Sequence, residues 1–274
     1  MYQRSLLISL LMIVFSGQNY AQVTWSELSQ IPVPPPHKTI TYGESEHHII
    51  DVYLPQNVDI KSNIMLIHGG CWQNQYDRTY MGHMAQSLSE RGYQVFNIEY
   101  RRTGDPGGGY PGTVQDIHKA YLYLQKYLTE LSSRSSALNV IGHSAGGHLS
   151  LWLAATEPGV TAVVGLAAIS DLSSYADGTG SCQIAARNFM QAQPAEAPEA
   201  YKKADPMLMD IPRATLTLIS TEKDAIVPPS HNATFVQRTG AKHHMFPKMG
   251  HFDLVAPTSG IWLSLLDLIE DSLR

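Results

Sequence analysis

Residues 140–150 read VIGHSAGGHLS: an apolar run ends at Ile141, and a lone serine, Ser144, then stands among Gly142, Ala145, Gly146 and Gly147. The stretch LNVI before it is strand-like and GGHLSLWLAA after it has helical spacing, so Ser144 falls on a sharp strand-to-helix turn. Small neighbours are needed there, because side chains at positions 142 and 146 would collide with the adjoining strand and helix. A hydroxyl at such a turn lies beside a helix N-terminus, whose free N–H groups and dipole favour negative charge. A serine that merely caps the helix is the plain alternative, and the rest of the chain must decide between them.

Outward from this turn the chain alternates two apolar patterns. Strands are predicted within 47–54, 62–68, 93–100, 137–143, 161–170, 214–220 and 241–247, and helices over 79–91, 112–131, 145–156, 230–239 and 259–273. Such alternation implies an α/β protein with a mostly parallel sheet covered by helices on both faces. The segment 38–54 reads better as an antiparallel hairpin on the edge. Residues 172–210, rich in Gly, Pro and Ala with two short helical stretches, break the rhythm and read as a cap inserted above the sheet.

At 274 residues, 43% hydrophobic and 16% charged, the chain is sized for one large core. Its start carries Arg4, an apolar run from Leu6 to Phe15, and small or polar residues up to Ala21. That is the layout of a signal peptide, and the run is too short for a permanent membrane span. The expectation is a signal peptide over 1–21, a single domain over 22–274, and a secreted or periplasmic protein. Without Arg4 the net charge passes from −5 to −6, with no basic cluster, so nucleic acid and anionic membranes are poor partners. Cys71 and Cys182 could pair in an oxidising compartment, but sequence alone does not bring the two sulfurs together.

If Ser144 is a nucleophile, three further groups are required. Donors for an oxyanion are offered by LIHGGCW, residues 66–72, whose backbone N–H groups at Gly70 and Cys71, or one residue earlier at Gly69, can converge with that of Ala145. A base is needed, and of the histidines after Ser144, His148 lies along the same helix, His231 opens another, and His243 and His244 lie in a strand. His251, in KMGHFDL, follows the last strand on a loop begun by Gly250 and is the one placed to reach over the sheet. Asp224, in LISTEKDAIVPP, fits the order Ser, Asp, His as the group that steadies the imidazole, with Glu222 as runner-up. Asp253 and Asp171 read as loop residues and Asp116 as structural. Trp72, Tyr76, Tyr110, Tyr175 and Phe252 are candidates for pocket walls.

Taken together, HGGCW, YRRTG followed by GGYPGTVQDIHKAYLYL, GHSAGG, TEKDAIVPP and GHFDLV resemble the α/β-hydrolases of the esterase and lipase group. The HGG-x-W form is similar to that of kynurenine formamidases and of bacterial esterases related to hormone-sensitive lipase. The resemblance runs from about residue 50 to the end. It implies an eight-stranded, mostly parallel sheet with a small cap, a nucleophile at Ser144, an acid at Asp224 and a base at His251, with no metal or organic cofactor. The usual lipase motif has a third glycine where this chain has Cys71, which leaves that oxyanion donor open. The expected activity is hydrolysis of small-molecule carboxylic esters through an acyl-enzyme. Alternatives are hydrolysis of an amide, either N-formyl or peptide, and a catalytically silent relative that only binds. All members of the triad are present, which speaks against the last.

Overall fold

A computed structural model describes residues 22–56, 58–131, 137–211 and 213–273; the expected signal peptide lies outside them. The described chain opens with a short helix, α1 (Trp25–Leu28), fixed by a reciprocal cap in which the Thr24 hydroxyl accepts from Glu27 N and the Glu27 carboxylate accepts from Thr24 N. There follow β1 (Lys38–Thr41), β2 (Ile49–Tyr53), β3 (Ser62–Ile67), α2 (Gly82–Glu90), β4 (Tyr93–Ile98), α3 (Gly112–Glu130), β5 (Leu138–His143), α4 (Ala145–Thr156) and β6 (Val160–Leu166). Three helices come next, α5 (Leu172–Ala176), α6 (Ser181–Met190) and α7 (Pro198–Ala204). The chain closes with β7 (Thr215–Thr221), α8 (Ala233–Thr239), β8 (Lys242–Phe246) and α9 (Trp262–Ser272).

The strands form one sheet in the order β1-β2-β4-β3-β5-β6-β7-β8. β2 pairs antiparallel with both β1 and β4, and every other pairing is parallel. Burial follows this order: β4 and β5 are covered along their whole length, whereas the edge strands β1 and β8 are mostly open and carry Lys38, Lys242 and His244. Within β3, Met65 and Ile67 pack into a core with Ile117 of α3 and Leu149 of α4, while Ile64 and Leu66 pack into a second core with Leu88 of α2 and Leu265 of α9. The period-2 alternation of side chains thus puts one apolar layer on each face. No helix among the described residues is long and apolar enough to cross a membrane.

Two predicted helices begin with a tighter turn than expected: Arg78–Met81 and Pro229–Asn232 are 3-10 turns ahead of α2 and α8. The cap segment holds three helices and a further 3-10 turn, Pro206–Leu208, where the sequence suggests two helical stretches. Left-handed Gln191 ends α6, and Pro198 starts a fresh helix.

The cap is anchored by polar groups rather than by apolar area alone. The buried Asp205 carboxylate accepts from the N–H groups of Leu172, Ser173 and Met207 and from the Ser173 hydroxyl. From α4, His148 Nε2 donates to Ala204 O and Trp152 Nε1 to Lys203 O, so the open carbonyls at the end of α7 are satisfied by the helix that starts at Ser144. A disulfide joins Cys71, on the loop after β3, to Cys182 in the first turn of α6, with Cα atoms 5.3 Å apart.

Candidate active site

Ser144 sits between β5 and α4 with φ 57° and ψ −119°, a conformation that costs a non-glycine residue about 1–3 kcal/mol. Its N–H donates to Leu166 O, and its carbonyl accepts from His148 N and Ile169 N, which holds the turn from three sides. A Cβ at Gly142 would lie 2.1 Å from Gly146 O, and one at Gly146 would lie 2.2 Å from Ile67 O. Glycine is required at 142 because the end of β5 lies against the first turn of α4, and at 146 because that turn lies against the end of β3. The Ser144 hydroxyl makes no cap bond to α4. It lines instead a pocket shared with Trp25, Gly70, Cys71, Tyr76, Tyr80, His143, Ser181, Cys182, Ile226, His251 and Phe252.

His251 comes from the 3-10 turn His251–Leu254 after β8, and Asp224 from the loop after β7. His251 Nδ1 lies 2.7 Å from Asp224 Oδ2, both side chains being buried. The other carboxylate oxygen accepts from Ile226 N and Val227 N, each at 2.8 Å. The carboxylate is therefore fixed by its own loop, and with the Nδ1 proton given to it, Nε2 is the basic nitrogen of the neutral ring. Glu222 points elsewhere: it is half-exposed and paired with Lys223 and the Lys248 N–H. Asp253 accepts from Gly250 N, Val23 N and the Ser259 hydroxyl, and so binds the start of the described chain to the His251 turn. Asp171 caps α5, and Asp116 pairs with Arg101 and His48.

The loop after β3 runs through three consecutive left-handed residues, Gly70, Cys71 and Trp72. Its direction is set from beneath by His68, which is fully buried. The His68 ring donates from Nδ1 to Gly69 O at 2.9 Å and from Nε2 to the Glu99 carboxylate at 3.0 Å. Gly69 O and Gly70 N belong to one trans peptide, so holding the oxygen down turns the Gly70 N–H the opposite way. Gly70 and Cys71 line the pocket, and neither their N–H groups nor that of Ala145 at the first position of α4 has a partner among the described residues. Gly69 N differs from the expectation: it donates to the Tyr80 hydroxyl at 2.6 Å and is not available as an oxyanion donor.

Burial alone would raise the Glu99 carboxyl, but the charge and hydrogen bond of His68, the Arg102 guanidinium and the Arg78 N–H outweigh it and hold the group at about 2. That carboxylate holds His68, and through it the loop after β3.

Of the expected wall residues, Tyr76 and Phe252 line the pocket, and Trp72, Tyr110 and Tyr175 do not. Trp72 is turned into the core by its left-handed backbone and stacks on Phe189 at 5.0 Å. Tyr110 also packs on Phe189, and Tyr175 is buried with its hydroxyl donated to Ile226 O. The walls missed by sequence are Trp25, Tyr80, His143, Ile226 and the disulfide itself. Trp25 contacts Tyr76, Tyr80 and Phe252 edge-on or tilted, at 5.0 to 5.7 Å between ring centroids. Nothing periodic marks Trp25 in the sequence, whereas His143, beside Ser144 in the motif, was open to a closer reading.

An eight-stranded, mostly parallel sheet with a strained serine between β5 and α4, and with Asp224 and His251 on the loops after β7 and β8, is the α/β-hydrolase arrangement. Residues 50–238 match the BD-FAE family, and the chain belongs to it. Among curated proteins it is similar to the esterase LipC of Mycobacterium tuberculosis, 25% identical over 250 residues, covering 84% of this chain and 60% of that one. It is also similar to the kynurenine formamidase of Salmo salar, 30% identical over 120 residues, covering 43% and 38%. The chain thus spans less than two thirds of the length of either relative. The solved structure of esterase B from Lactobacillus rhamnosis shares the fold, with a TM-score of 0.69 at 16% identity over 88% of this chain and 87% of that one.

Two outcomes are expected. Serine at both Cys71 and Cys182 should lower stability by about 2–4 kcal/mol, read as a shift of the urea midpoint; an unmoved midpoint would mean that Asp205, His148 and Trp152 hold the cap unaided. Because Glu99 is depressed from its ordinary 4.5 to about 2, its contribution is complete above 4.5 and lost as pH falls toward 2. Urea titrations across that window should show a smaller acid loss in Glu99→Gln than in wild type, and equal losses would reject the assignment.

Proposed function

We propose that this protein is a carboxylic ester hydrolase in which Ser144 is the nucleophile, His251 the general base and acid, and Asp224 the group that orients and steadies His251. The observation that carries the reading is the 2.7 Å contact of His251 Nδ1 with a doubly anchored Asp224, in the pocket that also holds a strained, uncapping serine. Membership of the BD-FAE family and likeness to esterases support the bond type.

In this mechanism His251 Nε2 takes the Ser144 proton as Oγ attacks the ester carbonyl. The pair of electrons pushed onto the carbonyl oxygen is met by the N–H groups of Gly70, Cys71 and Ala145, all backbone donors that need no reorganisation. Collapse breaks the bond to the alcohol, which leaves with the proton from His251 and gives the acyl-serine. A water molecule, deprotonated by His251, then attacks the acyl carbon and releases the acid, returning the proton to Ser144. The cavity of about 110 Å³ is smaller than a cavity of about 150 Å³ that admits benzene, which favours a compact acyl group. Export guided by residues 1–21 belongs to the same proposal: it would deliver the chain to a compartment where Cys71 and Cys182 can stay oxidised.

The test is kcat/KM on p-nitrophenyl acetate, p-nitrophenyl decanoate and N-formylkynurenine. Wild type should turn over the acetate fastest, react covalently with a fluorophosphonate at Ser144, and lose about 10³-fold or more in kcat on Ser144→Ala or Asp224→Asn. Faster cleavage of the formamide would change the bond assigned, and turnover that survives Ser144→Ala would sink the mechanism. N-terminal sequencing of protein collected outside the cytoplasm should begin at Gln22; material retained inside with Met1 intact would contradict export.

A further inference from the structure

Tyr80 and His143 have no part in the steps above, yet they lie between the groups that do. Tyr80, on the 3-10 turn Arg78–Met81, is buried, as is His143, the last residue of β5. Gly69 N donates to the Tyr80 hydroxyl at 2.6 Å, that hydroxyl lies 3.0 Å from His143 Nδ1, and His143 Nε2 lies 3.3 Å from the backbone oxygen of His251.

The polarity of this chain of bonds is fixed at one end. A carbonyl only accepts, so Nε2 must carry the ring proton. Burial and the neighbouring His251 hold the His143 ring well below the ordinary histidine value, which keeps it neutral and leaves Nδ1 bare. Tyr80 therefore donates its O–H to Nδ1 and keeps its lone pairs for the Gly69 N–H. The reverse tautomer would set two lone pairs face to face at His251 O.

The topology shows why such a link matters. β3 and β5 are neighbours, but β6 and β7 separate β5 from β8, so strand pairing does not tie the His251 turn to the oxyanion loop. A Cβ on Gly69 would lie 2.5 Å from His143 O and 2.9 Å from Ser144 Cβ, so that loop rests directly on the serine turn. His143 and His251 are 4.6 Å apart by ring centroid. A charged ring at position 143 would oppose the imidazolium that His251 must become, and a neutral one does not.

We propose that Tyr80 and His143 act as one positioning pair, holding the oxyanion loop and the His251 turn in register around Ser144. The pair rests on the ester hydrolase reading. Both rings also line the pocket, but the Tyr80 hydroxyl is spent on Gly69 N and His143 Nδ1, so its removal should act on kcat far more than on ground-state binding.

The test is steady-state turnover of p-nitrophenyl acetate by Tyr80→Phe, which removes one oxygen and unpairs both Gly69 N and His143 Nδ1, beside His143→Asn and the double variant. Tyr80→Phe should lower kcat about tenfold with KM changed less than about twofold. Fluorophosphonate should still titrate every site, only more slowly, which separates misplacement from unfolding. Since the two residues act through one chain of bonds, the double variant should be no slower than the worse single variant. A Tyr80→Phe enzyme with wild-type kcat, a loss confined to KM, or losses that multiply in the double variant would overturn the pair while leaving Ser144 dependence intact. Loss of Ser144 dependence in wild type would be the separate failure of the reading beneath it.

Discussion

The backbone of Ser144, held in a conformation that serine avoids, is the constraint on which the rest of the site depends. It exists because β5 must turn into α4 within one residue, and it survives because Gly146 lets that turn press against the end of β3. The same close approach brings the loop after β3 to the side of the serine. One steric requirement therefore sets both the place of Ser144 on the pocket wall and the nearness of the amides around it.

Around that turn, buried polar side chains orient backbone groups instead of meeting substrate. His68 turns the Gly69–Gly70 peptide, Glu99 holds His68, and Arg78 and Arg102 keep Glu99 ionised. Asp205 gathers the start and end of the cap by the same means, accepting four donors from two segments. Each of these side chains is costly to bury alone and stable only with its full set of partners. The site is thus stiff in its backbone while its walls, mostly aromatic rings and one disulfide, meet by shape.

The sheet was legible because it is built from long apolar runs whose period is strong, and the elbow because glycine and serine have few other reasons to occur in that spacing. Asp224 and His251 could be chosen by their order and by the strands they follow. The pocket walls were legible only in part: Tyr76 and Phe252 do line it, whereas Trp72 looked like a wall because it follows HGGC, but its positive φ turns the ring into the core. Trp25 lies far along the chain from every motif and is brought to the pocket by the Val23–Asp253 bond, by Leu28 in the core beneath, and by the rings it packs on. Gly69 looked like Gly70 in sequence, and a tyrosine eleven residues away decides between them.

Trp25 and His251 share one further property: both lie outside the stretch 50–238 that the chain shares with its family, as does Phe252. Two of the four Trp, Tyr and Phe rings lining the pocket, together with the imidazole, are thus supplied by the two flanks of the chain, latched to each other through Asp253. The matched stretch carries the serine turn and the loop after β3, while half of these rings and the His251 turn come from the segments on either side of it. The shape of this pocket therefore depends on how the segments either side of residues 50–238 pack together as well as on the sheet between them.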